Sequence, residues 1–419
     1  MKLISSAVGL LISVSAFAGP GDLVRIIRAP APAANANFGS QVAVVQGHLV
    51  VSAPNDTVGG ILNVGSVYRF NGISGQLAWR LANPDPNPGG GASDAFGGTM
   101  ISVGGDILIG AANDDLDGDP LHANAGSAYL VHGRTGAVLR KIPNPEPTAG
   151  DMFSHGALGT LGSNLIVGAP FDSPGGIAIA GTVYVIDKLT GAVLMRIPHP
   201  EPLFYGNSDD RFGRSVAEHQ GHILVGAPTD DQNGNTTGGA YLLDGISGAI
   251  LRRIANPFPD PVDGYFSAFG YPVRSLSGKI VIGEPWHRSG GKSLGAVFVF
   301  DGQTGVLLYA IQHPNPMDQL DVSGNATSFG WEIGEHDGFL AVSAPQDDVQ
   351  GVRDAGSVYV FDLKSGQLVM SMHNPDPVAY DQFAFVAFHG GQIICKAQGK
   401  DLPGAANAGE VYVYEGPQR

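Results

Sequence analysis

One phrase recurs seven times along the chain, and its period limits the folds open to it. Each copy opens on an aromatic residue: Phe38, Phe96, Phe153, Phe212, Phe269, Phe329 and Phe383, at intervals of 58, 57, 59, 57, 60 and 54 residues. The copy from Ser328 to Pro377 shows the grammar. Phe329-Gly330 leads into an apolar run ending at Ala344-Pro345, followed by an acidic loop at Asp347-Asp348. Gly356-Ser-Val-Tyr-Val-Phe361, a tight turn to Gly366, a second apolar run and Asn374-Pro-Asp-Pro377 complete it. Each run is short, β-branched or aromatic, and bounded by Gly, Pro or Asp, which is the pattern of strands and not of helices. One copy therefore predicts four antiparallel strands, A to D. Seven such units in series predict an all-β, seven-bladed β-propeller. The period exceeds the ~40–45 residues of WD40 repeats and the ~50 of kelch repeats.

Strand B is the most apolar in every unit, as in Leu165-Ile-Val167 and Ile280-Val-Ile282. Such runs are expected to be covered on both faces by neighbouring blades. Strand C carries an aromatic after a Gly: Tyr68, Tyr129, Tyr184, Tyr241, Phe298, Tyr359 and Tyr412. These rings are expected to pack between blades. The C–D turns, such as Asp187-Lys-Leu-Thr-Gly191, place Asp and Thr where they can bond the turn backbone and Gly where φ is positive. Asn-Pro or His-Pro then ends strand D, because proline has no N–H for a ladder.

The seventh unit stops after Val411-Tyr-Val-Tyr414 and lacks its own strand D. Near the N-terminus, Asp22-Leu-Val-Arg-Ile-Ile-Arg-Ala-Pro-Ala-Pro32 matches the end of a unit. It is expected to complete the last blade, joining the chain ends and removing a bare sheet edge.

Residues 1–18 carry Lys2, an apolar run and Ala16-Phe17-Ala18, the form of a secretory signal peptide. The expected organisation is a leader at 1–18 and a propeller over 19–419, secreted or periplasmic, with no membrane span in the mature chain. The formal net charge is −15, with 38 acidic against 23 basic residues, which argues against nucleic acid as a partner. Cys395 is the single cysteine and falls in a strand B, where an inert core thiol is expected.

Phe-Gly at the start of the units, Gly168-Ala-Pro170 and Gly226-Ala-Pro228 after strand B, and Gly-x-Val-Tyr in strand C resemble FG-GAP repeats. These build the seven-bladed propeller of integrin α-subunits and of many exported bacterial proteins. The resemblance covers essentially the whole mature chain and implies extracellular binding or adhesion. Integrin-type repeats often hold calcium in an Asp-rich loop between strands A and B. Here that connection is a short hairpin, as at Val45-Gln-Gly-His48, with too few ligands for such a loop.

Acids gather instead between strands B and C, at Asp56, Asp114, Asp172, Asp230 and Asp347; units five and seven carry His287 and Gly399 there. Turn closure is one account of these residues. The other is oxygen-ligand binding of calcium by Asp114, Asp115, Asp117, Asp119, Asp230, Asp231, Asp347, Asp348 and Asp354, richest in the second unit. A further acid stands two residues before the opening Phe at Asp94, Asp151, Asp210 and Asp381, where capping of the first strand is the expected role. His219 and His222, beside Glu218, form the closest histidine pair and would need a third ligand to hold a metal.

No nucleophile–base signature or phosphate-loop Lys motif appears. The expected function is therefore non-enzymatic binding or adhesion by a monomer, through acidic loops on one rim, to a protein or glycan ligand and with calcium as a possible cofactor. A quinoprotein-like or hydrolytic propeller enzyme is the alternative, since Asp301-Gly-Gln-Thr-Gly-Val-Leu-Leu308 is similar to quinoprotein repeats.

Overall fold

The computed structural model describes residues 19–86, 94–116, 120–202, 209–232, 235–259, 266–289, 291–315 and 327–418, with 231–232 and 235–236 described by backbone alone. They form seven four-stranded antiparallel sheets, one per repeat. Two 3-10 turns, Pro120–His122 and Pro174–Gly176, are the helical segments among the described residues. None of these is long and apolar enough to cross a membrane.

Blade 4 is representative. Strand A is Ser215–His219, B is His222–Ala227, C is Gly239–Leu243 and D is Ile250–Ala255, paired in that order. Ile223, Leu224 and Val225 in strand B are all fully buried, because the adjacent blades cover both of its faces. Each such side chain stabilises the ring by about 1.5–3 kcal/mol relative to exposure. Strand D is the outermost and leaves Ile250 and Leu251 exposed. The A–B connections are two-residue turns, for example Gln46-Gly47 and Gln220-Gly221, with positive φ at both residues. That is the hairpin geometry matching strand twist.

The opening Phe and the strand C aromatic of each blade meet edge to face. Phe212 and Tyr241 have centroids 5.7 Å apart, and Phe96 and Tyr129 5.4 Å. The pair lies in the cluster shared with the preceding blade; Phe212 and Tyr241 join Ile166, Val183 and Val185 of blade 3. The aromatic residues do pack between blades, as the sequence predicts.

The Gly before strand C makes that seam possible. Its backbone lies against the opening Phe of the next blade: a Cβ on Gly181 would come 2.1 Å from the carbonyl oxygen of Phe212. Gly181 also has φ near +89°, which L-residues rarely adopt.

The ring closes through the N-terminal strand. Leu23–Ile27 pairs with Glu410–Glu415 of blade 7, Ile26 opposite Tyr412 and Ile27 opposite Val411. Arg25 Nη1 then donates to the carbonyl of Gly72 in blade 1 at 3.0 Å. Cys395 is buried and unbonded, and burial pushes its thiol well above its usual range.

Candidate functional site

The B–C loops and the D–A connections emerge on one rim. Their deep acids are met by the strand C tyrosine, by a basic side chain or by both; the basic partner is on strand D of the same blade except at Asp347 of blade 6, whose His313 follows strand D of blade 5. Asp230 Oδ2 accepts from the Tyr241 hydroxyl at 2.7 Å and from Arg253 Nη2 of strand D at 2.9 Å. Asp56 is held by Tyr68 at 2.7 Å and Arg80 at 2.8 Å. Asp114 meets Tyr129 at 3.3 Å and Lys141 at 3.0 Å. Asp347 meets Tyr359 at 2.6 Å and His313 at 2.7 Å. Asp172 faces Arg196 at 3.9 Å. The tyrosines of these blades have their hydroxyl pKa raised by burial first and by the neighbouring acid second.

The two exceptional repeats explain the rule. Where blade 5 has His287 in place of Asp, its strand C has Phe298, with no hydroxyl to donate. Where blade 7 has Gly399, Glu410 takes over and accepts from Tyr412 at 2.7 Å. The coupled change of Asp and Tyr in blade 5 is a sequence signal for this contact.

The outer acids bond their own loops. Asp115 Oδ1 accepts from the Asn124 N–H at 2.6 Å, and Asp348 Oδ1 from the Asp354 N–H at 3.0 Å. Asp354 lies 3.3 Å from Arg353 Nε. Asp117 and Asp119 lie outside the described residues, as does the side chain of Asp231. Among the described residues, no group of three or more His, Cys, Asp or Glu side chains forms a metal site. The two-residue A–B turns do not fit the calcium loop of integrin-type repeats.

All four acids before the opening Phe are buried, and three are bonded to the Asn of Asn-Pro; Asp210 is the exception, since the strand D before it ends on His199. Asn83 donates to Asp94 at 2.7 Å, Asn144 to Asp151 at 2.9 Å and Asn374 to Asp381 at 2.6 Å. His219 is buried, with Nδ1 at 2.9 Å from Ser275 Oγ and Nε2 at 3.1 Å from the Gly302 carbonyl. Both ring nitrogens are thus engaged in tying blade 4 to blade 5.

The seven A strands surround a central channel of about 790 Å³. Its mouth is uneven. The residue after Phe-Gly is Ser40 in blade 1 and Gly98 in blade 2, but Arg214, Tyr271 and Trp331 in blades 4 to 6. Tyr271 meets Trp331 edge to face at 5.2 Å, Trp331 meets Trp286 at 5.8 Å, and Phe266 lies 5.0 Å from Trp286. All four rings are half-buried. The Arg214 guanidinium stacks 4.4 Å above Tyr271.

Deeper in the channel stands Arg274. The positions in register with it on the other A strands are Ala43, Ile101, Gly159, Ala217, Gly334 and Ala387. Arg274 donates to the carbonyls of Val273 at 3.0 Å and Ile333 at 3.2 Å. Burial lowers its pKa, while Tyr271 and Glu332 act in the opposite direction. Glu332, in the same wall, is neutralised by Lys396 at 2.6 Å. Burial holds the His155 imidazole down to about 3, with Arg214 and Arg211 adding to the effect, so it is neutral near pH 7. The sequence drew attention to rim acids. These channel residues were missed because strand A is the least apolar strand and its register shows only when all seven copies are paired.

A closed ring of seven four-stranded blades, with its connections gathered around an asymmetric channel mouth, defines an all-β propeller. Residues 206–243, which run from the D–A connection through strand C of blade 4, match the FG-GAP repeat family. That repeat match and the seven-bladed ring together fit an FG-GAP repeat propeller. No curated protein sequence matches it. At a general level this fold fits a binding or adhesion role.

Proposed function

We propose that the protein is exported and binds its ligand, without chemical conversion, at the rim where the B–C and D–A connections meet the channel. The observation that supports this reading is the run of half-buried rings on that rim, Tyr271, Trp331, Trp286 and Phe266, beside Arg214. Aromatic rings left half-buried around a concave site commonly serve ligand contact. Loops on a rigid scaffold are where binding is concentrated. The deep rim acids stabilise the scaffold on this reading, through their tyrosine and cation partners. Export rests on the leader at 1–18.

The test is glycan- and peptide-array binding by the exported protein, beside Trp331→Ala and Trp286→Ala variants. Loss of binding in both variants, with unchanged melting, is expected. Binding that survives both substitutions would move the site elsewhere on the ring. N-terminal sequencing of the exported product should begin at Gly19; a product that retains Met1 would overturn the export part.

A further inference from the structure

We propose that the channel mouth is a site for a hydroxylated ring carrying a carboxylate, such as a sugar acid, held by Arg214 and Arg274 and stacked beside Trp331. The inference rests on the rim-binding reading above and adds the chemistry of the ligand.

Charge is the first argument. The chain carries a formal −15, yet two guanidinium groups line this cavity. Among the described residues neither is hydrogen-bonded to a carboxylate: Arg274 donates to two backbone carbonyls, with Glu332 acting on it only through space, and Arg214 rests on the face of Tyr271. Nη1 of Arg214 is buried with no hydrogen-bond partner among the described residues. Two acids line the same cavity, Glu218 and Glu332. Glu332 is neutralised by Lys396 at 2.6 Å. Glu218 faces the opposite end, where it accepts from the N–H of Gly162 in an A–B turn at 3.4 Å. The mouth is therefore left with a local positive excess. Unpaired guanidinium groups in a partly desolvated site favour an anion, and their planar fork suits a carboxylate. The same excess disfavours a cationic ligand.

Register is the second argument. Six of the seven equivalent inner-strand positions are small or apolar, so packing of the ring does not require an arginine there. A buried charge that the fold does not need is costly unless it is matched. A ligand anion supplies the match.

The third argument identifies the rest of the ligand. Trp331 and Tyr271 offer half-buried ring surface against which the C–H face of a sugar ring can lie. Glu332 Oε2 is buried without a hydrogen-bond partner among the described residues, and can accept from a ligand hydroxyl. A ring with an apolar C–H face, hydroxyl donors and one carboxylate together describe a sugar acid better than they describe inorganic phosphate or an aromatic acid.

The experiment uses calorimetry and thermal unfolding of the full mature protein with D-galacturonate and D-glucuronate. Galactose, glucose, benzoate and inorganic phosphate are titrated beside them. The variants are Arg274→Ala, which installs what blades 1, 4 and 7 already carry, and Arg214→Gln. A uronate is expected to bind and raise the melting temperature, and each variant to weaken it at least tenfold while melting like the parent without ligand. Neutral sugars that bind as tightly as the uronates would overturn the anion assignment but leave the rim reading standing. Benzoate or phosphate binding in preference to the uronates would overturn the sugar-acid class. Uronate binding untouched by Arg274→Ala and Arg214→Gln would overturn the site. If no uronate binds, the proposal fails, and the array experiment decides the rim reading separately.

Discussion

Gly409 lies directly on the backbone of Phe38: a Cβ added to it would come 2.1 Å from the Phe38 carbonyl oxygen and 2.7 Å from its nitrogen. Gly409 stands at the start of the last strand of blade 7 and Phe38 opens blade 1, so this contact closes the ring. The Phe38 N–H also donates to the Ala408 carbonyl at 2.9 Å. Gly409→Ala should therefore part the first and last blades. Gly221→Ala is the control, since Gly221 has a similar φ, near +82°, but nothing within 4 Å of the added Cβ. The control should lose about 1 kcal/mol from strain alone, and Gly409→Ala at least about twice that. Equal losses by urea unfolding would show that the seam tolerates a methyl group.

Removal of residues 19–32 should have a larger effect. It leaves Glu410–Glu415 as a bare edge and removes the bond from Arg25 to blade 1. An unpaired edge strand also invites association between molecules. The shortened protein should melt at a lower temperature and form oligomers. A synthetic peptide of residues 19–32 should reverse both effects. An unchanged melting curve would make the segment dispensable.

Much of this architecture was legible in the sequence, because a repeat reports its own boundaries. The opening Phe located all seven blades, and the missing seventh strand D pointed to Leu23–Ile27. The purpose of the Gly before strand C was not legible. Its constraint comes from the next blade, some thirty residues away at Gly181 and Phe212. The buried acids were found, but their partners lie on strands C and D, and the clue was the joint loss of Asp and Tyr in blade 5. Arg214 and Arg274 were overlooked for a different reason. Arg214 precedes strand A at a position that varies from blade to blade, and only the pairing register shows that Arg274 stands where the other blades carry Ala, Gly or Ile.

The Tyr241–Asp230–Arg253 contact sets a test of what the rim acids do. Tyr241→Phe copies the Phe298 of blade 5 and removes the 2.7 Å bond to Asp230, leaving Arg253 in place. A hydrogen bond to a charged group contributes about 1.5–3 kcal/mol, so a loss of this order is expected in denaturant unfolding. The loss should be the same in calcium and in chelator if Asp230 serves the scaffold. A loss that calcium restores would instead make Asp230 a cation ligand.

His199 stands where blades 1, 2, 4 and 6 end strand D with Asn. Its ring lies edge to face with Phe212 at 5.1 Å and with Tyr241 at 5.3 Å. Nδ1 accepts from the Glu201 N–H at 3.2 Å, while Nε2 is buried without a hydrogen-bond partner among the described residues. Burial holds the imidazole down to about 3, and Arg253 adds to the effect. The unfolded chain therefore takes up a proton near pH 6.5 that the folded protein refuses until about pH 3. Stability tied to neutral His199 is fully present above the unfolded value and is lost as pH falls through that window. His199→Asn installs the residue that sister blades already accommodate and removes this titration. Unfolding free energies measured from pH 7 down to pH 4 should fall less steeply in the variant than in the parent. The difference should grow with each step below about pH 6.5. Parallel curves would show that His199 protonates in the folded protein as readily as in the unfolded one.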